Sequence, residues 1–286
     1  MANILYGAPV GQAINEKTVQ IVSRLAEKRI IPTLATIRIG AKDDDVAYEK
    51  NAVKRCETLG MKVITTVLEE TVEAQTFYDT LSGLNADPAV HGILMFRPLP
   101  GHIDEEKARN LISPEKDLDG GSDLSLASLL TGKGAGFAPA TAQAVMDILD
   151  YYQIPVKGAN VAVLGRSLVI GKPVALLLLN RNATVTICHT RTVNTEEVCR
   201  NSDIIVSATG QIESFGRAYF HAGQTVIDVG IKYSEEKQRI CGDIIFDEVE
   251  PRVDNITPVP KGVGSVTTAV LANHLALAAE RTISHE

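Results

Sequence analysis

The chain has 286 residues, 45% of them hydrophobic and 22% charged, with a net charge of -7; this is enough apolar material for two modest cores, and the acidic balance argues against a nucleic-acid footprint, which needs clustered basic residues. No run approaches the roughly 18 apolar residues of a membrane span and Met1 to Val10 has no charged segment ahead of an apolar core, so a cytoplasmic protein is expected. Cys56, Cys188, Cys199 and Cys241 form no CxxC pair, and neither a metal site nor a disulfide framework is expected of them.

In chain order, Ile14, Val19, Ile21, Val22 and Leu25 fall at helical spacing and predict a helix over Ala13 to Lys28. The β-branched run Thr33 to Ile39 predicts a strand. A helix over Val46 to Leu59 ends at Gly60, a strand covers Met61 to Leu68, and a third helix runs from Glu73 to Leu84. The apolar segment Gly92 to Phe96 is a further strand, terminated by Pro98 and Pro100. This βαβαβ alternation predicts a parallel sheet covered by helices, with ligands beyond the carboxyl ends of the strands. Arg97 to Gly101 and Asp117 to Gly121 are therefore candidate site loops.

A glycine-rich break, Gly132 to Gly136, precedes a helix around Thr141 to Tyr152. A second βα series then starts at Asn160, with strands at Ala183 to Cys188, Ile204 to Ala208 and Thr225 to Val229. Ala269 to Glu280 is a closing helix expected to pack back on the first domain. The expected organisation is a substrate domain over residues 1–137, a Rossmann-type domain over 138–268 and a returning helix over 269–286.

Val161 to Leu164 reads as a buried strand, followed directly by Gly165-Arg166-Ser167 and Gly171, and then by a helical stretch from Pro173 to Leu179. A glycine at such a turn admits the close backbone approach of a pyrophosphate, and the helix start offers unpaired N–H groups and partial positive charge. Ser167 holds the place of the second glycine of GxGxxG, and Gly171 lies one residue beyond the third. The motif alone fits an ordinary βα turn as well as a binding site. No carboxylate stands at the end of the next strand, where Cys188-His189-Thr190-Arg191-Thr192 is found; Arg166 and Arg191 suit a 2′-phosphate, which favours NADP over NAD.

Several segments together resemble the bifunctional methylenetetrahydrofolate dehydrogenase/cyclohydrolase family. They are Gly165 to Pro173, Ala183 to His189, Asp228 to Ile231, Gly242-Asp243, Thr257 to Gly264, Pro114 to Gly120, and Gly92 to Leu94 with Pro98-Leu99. The resemblance implies an α/β folate-binding domain, a Rossmann domain, a cleft between them and a homodimer formed through the Rossmann domain. It places the dinucleotide on Gly165, Arg166, Ser167, Thr190 and Ile231, to which the turn and the strand end add Gly171 and Arg191. It places the tetrahydrofolate substrate near Tyr48, Asp119, Pro98, Leu99, Gly262 and Gly264, with Tyr48 and Asp119 as the catalytic pair. A carboxylate at 119 suits the N–H donors of a pterin; an aspartate before Gly-Gly is otherwise a turn or cap residue.

The chain departs from the family pattern at two paired positions. The lysine four residues after the tyrosine is replaced by Ala52, and the glutamine that contacts it by Phe96. Lys50 and Lys54 lie about 200° and 240° around the helix from Tyr48, so neither replaces the ammonium. Hydride transfer depends mainly on positioning, whereas hydrolysis of a methenyl cation needs water activated and protons moved. The expectation is a divergent member resembling monofunctional methylenetetrahydrofolate dehydrogenases, with cyclohydrolase activity lost. The alternatives are a bifunctional enzyme using Lys50, Lys54, Arg97 or Lys261, and a non-catalytic folate- or dinucleotide-binding relative. Family members without the lysine often use NAD, which opposes the lean towards NADP. Lys261 and Ser265 stand where the family usually has glycine and proline, and Ala142 and Ala144 follow Thr141 in place of proline and glycine.

Overall fold

The computed structural model describes residues 1–283 and contains two compact units, one formed by Ala13–Ala140 with the chain from Thr268 onward, the other by Met1–Gln12 with Thr141–Thr267. The chain begins with β1 (Asn3–Ile4) and α1 (Gly7–Glu27). Helix α1 starts six residues before the apolar periodicity predicts, because Pro9 in its first turn needs no N–H partner there.

The first unit then alternates β2 (Thr33–Ile39), α2 (Asp43–Thr58), β3 (Lys62–Leu68), α3 (Ala74–Ala86) and β4 (Gly92–Met95). The three strands form a parallel sheet in the order β3-β2-β4. Central β2 is buried along nearly its whole length, which is why it reads as a continuous apolar and β-branched run. Three aspartates, Asp43 to Asp45, occupy the first turn of α2, where the helix dipole favours negative charge. The helix gives way at Gly60, whose φ of +80° suits glycine.

Two short helices, α4 (Glu105–Leu111) and α5 (Asp123–Thr131), follow the sheet. Each has a side-chain cap: Asp104 accepts from Lys107 N–H and Ser122 from Ser125 N–H.

In the second unit α6 (Ala140–Tyr151) leads into β5 (Asn160–Leu164), α7 (Gly171–Asn180), β6 (Thr184–Cys188), α8 (Thr195–Arg200), β7 (Ile204–Ser207) and β8 (Thr225–Asp228). A two-stranded hairpin, β9 (Lys232–Ser234) and β10 (Arg239–Cys241), comes next, then α9 (Phe246–Val249) and β11 (Asn255–Ile256). The main sheet is parallel, in the order β1-β11-β8-β7-β5-β6. Strand β1 therefore closes the edge of this sheet, Asn3 pairing with Asn255 and Ile4 with Ile256.

The last helix, α10 (Thr267–Ile283), returns to the first unit. It meets α1 through Asn273 Nδ2, which donates to Thr18 Oγ1 at 3.0 Å, and through an ion pair of Arg24 with Glu280 at 2.7 Å. The α10 residues Leu271, Leu275 and Ala279 share a core with Leu25, Ala52, Phe96 and Phe137. No described helix is long and apolar enough to cross a membrane.

Candidate functional site

The turn after β5 is shaped by two glycines that nothing larger can replace. Gly165 has φ +115°, and a Cβ there would lie 2.4 Å from the Ala208 carbonyl oxygen. A Cβ on Gly171 would lie 2.3 Å from the Gly165 carbonyl oxygen, so α7 packs directly on the turn. Ser167, in the place of a glycine, braces the start of α7, where its hydroxyl accepts from Ile170 N–H at 3.2 Å. A hollow of about 410 Å³ opens here, bounded by Gly165, Arg166, Ser167, His189, Thr190, Thr192 and Thr195 and, from later segments, by Thr209, Gln211, Phe215 and Tyr219. The bare Gly165 backbone and the helix start fit a pyrophosphate.

Of the cofactor residues read from the sequence, Arg166, Ser167 and Thr190 border this hollow with Gly165, and Gly171 supports it from beneath. Arg191 is exposed on the turn after β6 and does not line it. Ile231 is 61% exposed and stands apart from it, beside Gly264, whose Cβ would come within 3.8 Å of Ile231 Cδ1. Gly262 is packed against the Pro258 carbonyl oxygen, which a Cβ would approach to 2.4 Å. Lys261 has φ +84°, a left-handed conformation that accounts for a glycine preference at this position, and the Ser265 hydroxyl braces the loop by donating to the Gly262 carbonyl at 2.7 Å. Thr209 and Gln211, which sequence reading missed, follow the carboxyl end of β7, where ligands of parallel sheets gather.

Two buried carboxylates hold the loops around the hollow. Asp228 accepts N–H bonds from Gly230, Asp243 and Ile244, and burial pushes its pKa up to about 7. Asp243 Oδ2 accepts from the Ser207 hydroxyl at 2.8 Å and from Thr209 N–H at 2.7 Å, tying the end of β7 to the segment after β10. A Cβ on Gly230 would strike Asp243 at 2.3 Å, and one on Gly242 would strike Asp228 at 2.0 Å. The Asp-Val-Gly and Gly-Asp sequences are thus one interlocked unit.

In the first unit, Tyr48 on α2 meets Phe96 edge to face, with ring centroids 6.1 Å apart. Ala52 and Phe96 are both buried in the apolar core, while Lys50 and Lys54 are exposed. The buried face of α2 instead carries Glu49, which accepts from Thr36 Oγ1 and from Arg38 Nε, each at 2.7 Å. Sequence reading missed this ion pair, whose partners sit on different elements 11 positions apart.

Beyond β4, Arg97 Nη2 lies 3.3 Å from Asp119 Oδ2, and Nη1 of the same guanidinium lies 3.9 Å from Glu105. Pro98 is exposed at the tip of this loop, and Leu99 is partly buried, its N–H donating to Glu105 Oε2. The Asp119 pKa is pushed up to about 6 by desolvation, against the pull of Arg97 and an N–H bond from Ala140. The turn role open to an aspartate before Gly-Gly falls to Asp117, which accepts from Gly121 N–H, Ser122 N–H and the Ser125 hydroxyl. Asp119 is left with its side chain 34% accessible. On its far side the Leu118 carbonyl lies 2.9 Å from His274 Nδ1, whose ring stacks on Phe137.

Two sequence profiles match this chain: "Tetrahydrofolate dehydrogenase/cyclohydrolase, catalytic domain" over residues 5–119 and its "NAD(P)-binding domain" counterpart over residues 139–283. The chain belongs to the tetrahydrofolate dehydrogenase/cyclohydrolase family. A protein of Carboxydothermus hydrogenoformans named bifunctional protein FolD is 47% identical over 98% of both chains. The crystal structure of the bifunctional FolD enzyme of Campylobacter jejuni superposes with a TM-score of 0.95 at 33% identity, covering 99% of this chain and 100% of that one. The Trypanosoma brucei dehydrogenase-cyclohydrolase, crystallised with NADP and an inhibitor, gives 0.91 at 34% identity over 99% and 98%. As a family member this protein is an NAD(P)-dependent methylenetetrahydrofolate dehydrogenase, an oxidoreductase of one-carbon metabolism.

Proposed function

We propose that the protein oxidises 5,10-methylenetetrahydrofolate to 5,10-methenyltetrahydrofolate, the methylene C–H bond leaving with its electron pair as hydride to the nicotinamide, and that it hydrolyses the product slowly or not at all. The observation behind the second half is the apolar, buried pair Ala52 and Phe96 beside Tyr48. A group that activates water needs a titratable or hydrogen-bonding atom, and neither side chain has one. In this reading Tyr48 and Asp119 hold the pterin, with Pro98, Leu99, Gly262 and Gly264 around the substrate. Gly165, Arg166, Ser167, Gly171, Thr190 and Ile231 hold the dinucleotide. Oxidation then rests on orientation, which these residues supply without a proton carrier.

The relatives support a second reading. Those named as bifunctional include a protein nearly half identical along its whole length, and this kinship favours a retained cyclohydrolase more than its loss. Of the basic groups considered as substitutes, Lys50, Lys54 and Lys261 are exposed, whereas Arg97 pairs with Asp119. The decision is a spectrophotometric one: with purified enzyme and methenyltetrahydrofolate, the first reading expects its absorbance to decay at the uncatalysed rate. Rapid decay overturns the first reading and establishes the second. Introducing lysine at 52 and glutamine at 96 together should raise the hydrolysis rate if the first reading holds.

For the cofactor we favour NADP, supported by Arg166 at the hollow and by NADP in the trypanosomal relative; Arg191, exposed and outside the lining, adds less than its sequence position suggests. We also favour a homodimer formed through the dinucleotide unit, supported by the exposed apolar side chains Tyr233 and Ile240 on the β9–β10 hairpin.

A further inference from the structure

We propose that Arg97 is a positioning residue for substrate, clamping Asp119 as an oriented carboxylate that presents its free lone pairs to the amino-pyrimidine edge of the folate. The inference rests on the reading of Asp119 as the pterin ligand.

The geometry assembles this clamp from three directions. Arg97 leaves the end of β4 and its guanidinium lies over the Gly121 backbone, with Nη2 3.3 Å from Asp119 Oδ2 and Nη1 3.9 Å from Glu105 Oε1 on α4. The Asp119 backbone is held separately. Gly120 has φ +60° and is packed so closely on Phe137 to Pro139 that a Cβ would lie 2.5 Å from the Phe137 carbonyl oxygen. Asp117 and Arg109 secure Gly121 on the other side, through its N–H and its carbonyl. With the backbone fixed and Oδ2 engaged by Arg97, the carboxylate has few ways to turn, yet its side chain remains about a third open.

The clamp also decides whether the carboxylate is charged. An amino-pyrimidine edge presents N–H donors, so its partner must be an acceptor; a protonated carboxyl puts a donor in their way. The groups facing Asp119 are Arg97 from the end of β4, Asp117 from its own loop and Ala140 N–H at the start of α6, with Glu105 behind Arg97. His274 and Arg281 reach this loop from α10 at Leu118 and Ala135; the His274 pKa falls to about 4 on burial, leaving it neutral where Asp119 titrates. Desolvation and Asp117 raise the Asp119 pKa, and Arg97 is the foremost group opposing them. Replacing Arg97 therefore raises it further, and folate binding fails at a higher pH.

The test is the dissociation constant of tetrahydrofolate, measured anaerobically by calorimetry from pH 5 to pH 8. With a break near the Asp119 value of about 6, binding to the unaltered enzyme should weaken about tenfold between pH 7.5 and pH 5. In Arg97→Leu the break should move to higher pH; in Arg97→Lys it should stay closer to its original position. Dinucleotide affinity, measured alone, serves as the control for folding. A pH-independent constant in the unaltered enzyme, or a break that stays in place in Arg97→Leu, overturns the proposal. Asp119→Asn separates the two inferences. If it removes the break while Arg97→Leu does not shift it, Asp119 binds the pterin and only the role of Arg97 falls. If it leaves both affinity and break unchanged, the assignment of Asp119 falls and the proposal with it.

Discussion

Glu49 and Arg38 illustrate how a single residue acquires meaning only in three dimensions. Their side chains are 8% and 13% accessible, and Thr36 satisfies the second carboxylate oxygen. Removing one partner of such a pair strands the other charge in a low-dielectric site, at a cost of about 3–5 kcal/mol. Glu49→Ala should therefore lose stability on that scale by chemical denaturation, whereas Lys50→Ala, on the exposed side of the same helix, should be nearly neutral. Arg166 permits a test of cofactor choice. If it receives a 2′-phosphate, Arg166→Ala should raise the KM for NADP by about tenfold or more while changing that for NAD little, since a charge-assisted hydrogen bond contributes about 1.5–3 kcal/mol; parallel kinetics with both dinucleotides check it. The glycine turn is readable from sequence because Gly165 and Gly171 answer to backbone geometry within a short segment. Glu49 and Thr209 are not, because their partners come from other elements or distant positions.

Among the elements, α10 shows how a returning helix can hold loops in place. It supplies His274 to the Leu118 carbonyl, and Arg281, whose guanidinium lies 4.1 Å from the Phe137 ring centre, donates to the Ala135 carbonyl. The buried His274 has its pKa lowered to about 4, chiefly by desolvation. Between that value and the ordinary histidine range near 6.5 the unfolded chain binds the extra proton, so this contribution is fully present above about 6.5 and is lost as the pH falls towards 4. His274→Gln should remove it. The fall in melting temperature between pH 7 and pH 4.5 should be smaller in that variant, an outcome that scanning calorimetry can check. Long helices and interior strands are legible because their apolar periods extend over many residues. Elements α4, α5, β9, β10 and β11 escape such a reading. They are short, and what fixes them is a cap or a partner strand; Asp104 and Ser122 are cap signals present in the sequence.

For the whole molecule, family resemblance carries what periodicity cannot. Alternating strands and helices indicate the class and the position of the dinucleotide turn, but not the substrate. The assembly state belongs to this scale. Light scattering at micromolar concentration should give a mass near twice that of the chain, 30.7 kDa, and Tyr233→Glu with Ile240→Glu should halve it if the hairpin forms the interface. Apolar side chains buried between copies resist a buried carboxylate strongly. A dimeric mass that survives both charges would place the contact elsewhere.

Strand β1 carries a lesson about the order of synthesis. Asn3 pairs with Asn255, 252 positions later in the chain, so β1 is synthesised long before the strand it joins. Until β11 is made β1 has no partner strand, and such open edges invite pairing with other chains. Deleting Asn3 and Ile4 should accordingly uncover the β11 edge of the six-stranded sheet.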